Sequence, residues 1–313
     1  MKKSWTRRAV LKTAAFAACG GTFAWGQAAR PGIVDTHTHF YDPTRPEGVP
    51  WPSPDDKFLY RPVLPAEYQQ MTNPHGVVGT VVVEASPRPG DNQWILDLAA
   101  KDPFVLGLVG NLSPGSKEFA EHFPKLVAQP KFLGIRVNSG PLGVGLDKPE
   151  FLADIKKLSD AERELDVNGR PDLLPLVSKL ATKLPDLRIV INHLANVRIE
   201  GPMLDATWLQ ELKATARHPN VFLKVSALVE GAAQGNREAP SDPAYYKPVL
   251  DTVFEVFGNK RVIYGSNWPV SARFGNYAVV QKIVQTYVDN LGPEIVDRFF
   301  FHNAKDAYRW PVA

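Results

Sequence analysis

A chain of 313 residues with 44% hydrophobic content can bury one large core or two ordinary ones. It has no apolar run of the roughly 18 residues that a membrane-spanning helix needs. The formal charge of +3 becomes −2 once Lys2, Lys3, Arg7, Arg8 and Lys12 are set aside, so no basic stripe remains to make nucleic acid an expected partner. The single cysteine, Cys19, excludes an intramolecular disulfide.

Residues 1–29 read as an export segment. A basic start without acids is followed by the small-residue run Thr13-Ala14-Ala15-Phe16-Ala17-Ala18 and then by Ala24-Trp25-Gly26-Gln27-Ala28-Ala29, which suits a signal peptidase. Thr6-Arg7-Arg8-Ala9-Val10-Leu11-Lys12 resembles the bacterial twin-arginine motif, with Val10 where Phe is commoner. The expectation is therefore a signal over 1–29, a partner in the export machinery and a periplasmic or exported protein. Lipid anchoring at Cys19 is the alternative; Phe16 fits a lipoprotein cleavage site poorly.

From residue 30 onward one domain is expected. Runs rich in Val, Ile and Leu alternate with segments of helical spacing. Strands are expected over 33–39, 77–85, 104–110, 132–137, 165–168, 188–193, 221–228 and 261–266. Helices are expected over 65–72, 92–101, 117–127, 149–164, 172–184, 205–217, 245–257 and 277–290, with an extra C-terminal helix over 293–310. Eight strand–helix pairs in about 280 residues predict a single α/β domain, a (β/α)8 TIM barrel. Strand five, short and carrying Asp166 and Asn168, is the weakest of the eight. The turns into strands are short, whereas the loops leaving them are long. The first such loop, 41–62, holds six prolines with Trp51, Phe58 and Tyr60. In such a barrel those loops build the active-site mouth. A doubly wound sheet would need a glycine-rich turn after strand one, and none is there.

The polar residues at strand ends form a short set. In Gly32-Ile33-Val34-Asp35-Thr36-His37-Thr38-His39-Phe40, Asp35, His37 and His39 are spaced by two and so share one strand face. Glu84 interrupts a valine run on strand two. Arg136 lies in the apolar strand four, where burial demands a partner: either Glu84 or a substrate carboxylate or carbonyl. His193 ends the apolar run of strand six. Strand seven gives Lys224, read as half of a structural ion pair, and Ser226. Strand eight gives Asn267 and Trp268. Two imidazoles from one strand end and a third from another suit a divalent cation, and three imidazoles plus water make an open, catalytic-type zinc site. His75, His122 and His218 fall on helices or turns and are read as solvated.

Val34-Asp35-Thr36-His37-Thr38-His39, Gly134-Ile135-Arg136, Asn192-His193-Leu194 and Gly265-Ser266-Asn267-Trp268-Pro269-Val270, in this order, resemble the amidohydrolase-related family over about residues 31–310. The branch most like this chain is that of sugar-acid and muconolactone-type lactonases, the fuconolactonase kind. The resemblance implies a (β/α)8 barrel, hydrolysis of lactones, and one divalent metal or, in some lactonases, none. One departure matters: where the family has Asp as general base after Gly-Ser on strand eight, this chain has Asn267, and an amide cannot take up a proton at neutral pH.

The expected activity is the opening of a small lactone or related cyclic ester. His37, His39 and His193 would hold one divalent ion, zinc first. Arg136 would grip substrate oxygens, and Glu84 or His193 would stand in as base. Asn267 would hydrogen-bond water or substrate, and Trp268, Trp51 and Tyr60 would wall the pocket. The rivals are a non-oxidative decarboxylase on the same scaffold and a degenerate exported binding barrel, for which Asn267 speaks.

Overall fold

The structure, a computed structural model, describes residues 31–233 and 238–311. The signal-like stretch 1–29 and Cys19 lie outside the described residues.

Eight strands, β1 (Ile33–Thr38), β2 (Val77–Val83), β3 (Val105–Gly110), β4 (Phe132–Asn138), β5 (Glu164–Asn168), β6 (Ile189–Ile191), β7 (Val221–Val225) and β8 (Val262–Tyr264), pair in sequence order. Every pairing is parallel. The last strand meets the first beyond its regular end. The Asn267 N–H donates to the His37 carbonyl at 2.9 Å, and the His39 N–H donates to the Trp268 carbonyl at 2.9 Å. The (β/α)8 barrel read from the sequence is thus the fold.

The outer helices are α1 (Pro65–Thr72), α2 (Pro89–Lys101), α3 (Lys117–Val127), α4 (Pro149–Asp160), α5 (Leu173–Lys183), α6 (Ala206–Thr215), α7 (Pro243–Phe257) and α8 (Tyr277–Asp289). Four of them open on proline, whose missing N–H is no loss in a first turn. Side-chain caps from Ser116, Asp205 and Asn276 start three more, and Asp242 reinforces the proline start of α7. The buried face of α3, Phe119, Phe123 and Leu126, shows the helical spacing that drives each helix onto the sheet. Two expectations change here. Helix four stops at Asp160, because β5 begins at Glu164. The single terminal helix is broken into Pro293–Asp297, a π-helical turn Arg298–His302, and Asn303–Tyr308.

That terminal segment closes the amino end of the barrel. Ala304, Ala307, Tyr308 and Trp310 pack with Val34, Val81, Val190, Phe222 and Ile263. Above this apolar floor lies a buried polar layer. Lys224 Nζ donates to Asp166 Oδ2 at 2.9 Å and to the Thr36 carbonyl at 2.9 Å, and the Tyr308 hydroxyl donates to Asp166 Oδ1 at 2.9 Å. Lys224 is therefore the structural ion pair expected, both partners fully buried. The same layer explains why β5 looked weak: Asp166, one of its polar residues, belongs to that layer.

At the carboxyl end, the loops leaving the strands are long, as expected, but not wholly irregular. Short helices Ser139–Gly145 and Leu228–Ala232 occupy the fourth and seventh.

Candidate active site

At the carboxyl ends of β1 and β6 the three expected histidines come together. The His37 ring centre lies 5.0 Å from that of His39 and 4.3 Å from that of His193. Each reaches this point through a local distortion. Strand β1 loses register against β2 between Asp35 and Thr38, and such a bulge re-aims side chains. As a result Asp35 does not share the face of His37 and His39. Its carboxylate instead accepts from the Tyr68 hydroxyl of α1 at 2.5 Å, the Ser266 N–H at 2.9 Å and the His37 N–H at 3.0 Å. Asp35 is thus a strut tying β1 to the turn after β8. Gly265 leaves room for this packing, since a Cβ there would fall 2.8 Å from the His37 Cβ.

Beyond β6, His193, Leu194, Ala195 and Asn196 all have positive φ. Four consecutive left-handed residues are costly for side chains other than glycine. The surroundings hold the turn: the Ala195 N–H donates to the Asn192 carbonyl, and Trp208 Nε1 donates to the Leu194 carbonyl, both at 2.9 Å. Ala227 after β7 and Asn267 after β8 are left-handed too, so three neighbouring strands end by turning sharply into the mouth.

All three imidazoles are anchored by Nδ1. His39 Nδ1 stands 2.7 Å from the Val83 carbonyl, which only a ring N–H can satisfy, so its Nε2 carries the lone pair. His193 Nδ1 is 2.7 Å from Ser226 Oγ. His37 Nδ1 lies 3.3 Å from Lys224 Nζ. An ammonium ion-paired to Asp166 has only protons to offer, so His37 Nδ1 accepts and Nε2 carries hydrogen. That Nε2 is buried without a partner among the described residues. Burial first, and neighbouring cations after it, lower the pKa of all three rings, His39 to about 3. They are neutral near pH 7.

The expected divalent ion needs open ring nitrogens. A ring that presents N–H is not a ligand, which excludes His37 and leaves at most His39 and His193. An open catalytic zinc site takes three protein ligands. Among the described residues, no three His, Cys, Asp or Glu side chains are placed to hold one ion. The arrangement seen does not fit the ion, and Lys224 adds a positive charge beside it.

Arg136 raises the local potential further. Its Nη2 donates to the backbone carbonyl of Glu84 at 2.7 Å, not to the Glu84 carboxylate as the paired alternative would have it. Burial lowers its pKa. Glu84 itself accepts from the Ser86 N–H at 2.6 Å and lines a small pocket with Tyr41, Trp51 and Asp91. Burial raises its pKa to about 7, but among the described residues no hydrogen bond links it to the histidines or to Asn267. Asn267 lies beside the cluster, its Oδ1 3.3 Å from His39 Nε2; with the lone pair on that nitrogen the contact is a proximity and not a hydrogen bond.

Of the aromatic residues expected to wall the pocket, Trp51 stands edge-on to His39 with ring centres 5.6 Å apart. Trp268 is a correction: it is buried, packed on Tyr68 at 5.0 Å and Phe40 at 6.3 Å, in the layer between barrel and helices. Tyr60 lines none of the described cavities.

The sequence reading passed over Glu230, on the short helix Leu228–Ala232. Its Oε1 accepts from Asn267 Nδ2 at 2.7 Å. It also lines a cavity of about 930 Å³, together with Asn138, Asn168, Arg170, Asn196 and Arg198 at the ends of β4, β5 and β6. An acid standing alone in Ala227-Leu228-Val229-Glu230-Gly231-Ala232 was the available signal. A second cavity of about 430 Å³ is lined by Arg136, Asn111 and Asn138.

The chain was compared with known proteins. The family model described as Amidohydrolase matches residues 34–310. An L-fucono-1,5-lactonase of Burkholderia ambifaria is 31% identical over 282 residues, 88% of this chain and 95% of the relative. An L-fucono-1,5-lactonase of Burkholderia multivorans is 23% identical over 264 residues, 82% of this chain and 88% of the relative. Among solved structures, an amidohydrolase from Burkholderia multivorans with bound zinc superposes with a TM-score of 0.78 at 23% identity, covering 89% of this chain and 99% of the other. With the match running from the first strand to the terminal segment, the chain belongs to the amidohydrolase family.

Proposed function

We propose that this protein hydrolyses a small lactone of the sugar-acid type. The observation that carries the reading is the cluster at the mouth: His37 with an unpartnered buried Nε2–H, Arg136 with donors to spare, and two further neutral imidazoles. The lactonase names of the relatives support it. The asparagine-rich cavity supports the substrate class. Asn196 Nδ2 donates to Asn168 Oδ1 at 3.0 Å and Asn168 Nδ2 to Asn138 Oδ1 at 3.1 Å, a row of amides able to bond ring hydroxyls.

Water adds to the lactone carbonyl, and negative charge grows on the carbonyl oxygen. His37 Nε2–H and the Arg136 guanidinium are fixed donors in a buried setting, where such donors stabilise an oxyanion most. Asn267 orients water or substrate but cannot accept the proton.

A panel of aldonolactones, L-fucono-1,5-lactone included, assayed with a pH indicator should release acid. His37→Ala should lower kcat/KM by roughly 10²-fold or more, the loss typical of one oxyanion donor. Turnover should survive chelation; a stoichiometric ion whose removal abolishes turnover would replace the hydrogen-bond account with a metal one. No acid from any lactone would sink the reading. Export is proposed on residues 1–29 alone: Arg7→Lys with Arg8→Lys should hold the protein in the cytoplasm on fractionation.

A further inference from the structure

Asn267 leaves the mouth without the carboxylate that the family carries on strand eight. The structure supplies another one from strand seven. Glu230 Oε1 accepts from Asn267 Nδ2 at 2.7 Å, so the carboxylate stands one amide away from His39. Its second oxygen, Oε2, is buried and has no partner among the described residues. The left-handed turn at Ala227 sets the short helix that brings Glu230 to the cluster. Of the side chains lining the cavity of about 930 Å³, Glu230 is the one hydrogen-bonded to Asn267, so it stands between that space and the histidines.

We propose that Glu230 is the catalytic base, accepting at Oε2 a proton of the attacking water, with Asn267 as its positioning residue. This rests on the lactone reading. The water oxygen bonds to the carbonyl carbon, and the carbonyl electron pair moves onto its oxygen. One water proton passes to Glu230. The oxyanion then collapses, the ring C–O bond breaks, and Glu230 returns the proton to the leaving alkoxide. The product is a hydroxy acid, which loses its carboxyl proton to solvent, and Glu230 is regenerated.

A base must be ionised to act. Burial raises the Glu230 pKa to about 7, against the lowering pull of its hydrogen bond to Asn267. Tyr246 of α7 is a further neighbour, and Arg170, Arg198 and Asp205 share the cavity wall. Activity should therefore fall as pH drops below about 7.

The test uses wild type, Glu230→Gln, Glu230→Asp and the double variant Glu230→Gln/Asn267→Asp, each checked for folding by its thermal midpoint, on the best lactone of the panel. Glu230→Gln should lose roughly 10²–10⁴-fold in kcat, with KM nearly unchanged and the acidic limb of the pH profile gone. Glu230→Asp should keep a limb. The double variant, with the carboxylate moved to strand eight, should recover at least about tenfold over Glu230→Gln. Unchanged kcat in Glu230→Gln, or a loss with the limb intact, would overturn the proposal alone. Wild type inert on every lactone would overturn the lactone reading and this proposal with it.

Discussion

Two glutamates, Glu84 buried and Glu230 half-buried, flank the histidine cluster, and desolvation of the carboxyl raises both to about pKa 7. They differ in what their oxygens meet. Glu84, beyond β2, is held by the Ser86 N–H and sits in a small pocket behind Trp51. Glu230, beyond β7, has one oxygen on Asn267 and the other unpartnered, and it borders the large cavity. An elevated pKa marks each as desolvated. Only the contacts separate a carboxyl stored in the wall from one set to exchange a proton, because a base must reach the group that it serves.

The sharpest way to break the comparison is kinetic. Glu84→Gln should change kcat by less than about threefold, because its carboxylate makes no hydrogen bond to the cluster and meets Arg136 only through charge. A loss in Glu84→Gln as large as that in Glu230→Gln would erase the distinction and restore Glu84 as a base.

A second comparison concerns stability, and here the two should behave alike. Each folded pKa, about 7, lies above the reference value of 4.5. Between these values the folded state holds the proton more tightly than the unfolded chain. Each group's stabilising contribution is therefore complete below pH 4.5 and is lost as pH rises through 7. At pH 8 each ionised carboxylate costs up to about 3 kcal/mol relative to a neutral group. Urea unfolding at pH 8 should find both Gln variants more stable than wild type, and the gain should vanish near pH 4. A gain for one alone would show that the two desolvations differ.

The barrel was legible because its signals are local: apolar runs, prolines opening helices, short turns into strands and long loops out of them. The histidines were legible because they end apolar runs. What escaped depended on departures from regular backbone. The bulge in β1 turns Asp35 to the outer layer, although spacing by two put it with His37. Trp268 follows the left-handed Asn267 and, still bridged in parallel to Thr38 of β1, packs on Tyr68 in the outer layer. Glu230 escaped because it lies in a loop after a strand that had already given Lys224 and Ser226, and strand parity does not extend into loops. The tautomer of His37, and with it the mismatch to a metal ion, depends on Lys224 far along the chain.

The smallest effect tests the Glu84 side directly. Trp51 stands edge-on to His39 and to Tyr41, with centres 5.6 and 5.3 Å apart, and shares the Glu84 pocket. Such edge contacts are each worth about 0.5–1.5 kcal/mol. Trp51→Ala should therefore raise KM by at most about tenfold while leaving kcat and the acidic limb in place, since it removes a wall and no proton acceptor. If Trp51→Ala shifted the limb, water admitted beside Glu84 would be changing the titration that controls rate. The working carboxylate would then lie on the β2 side of the mouth, not the β7 side.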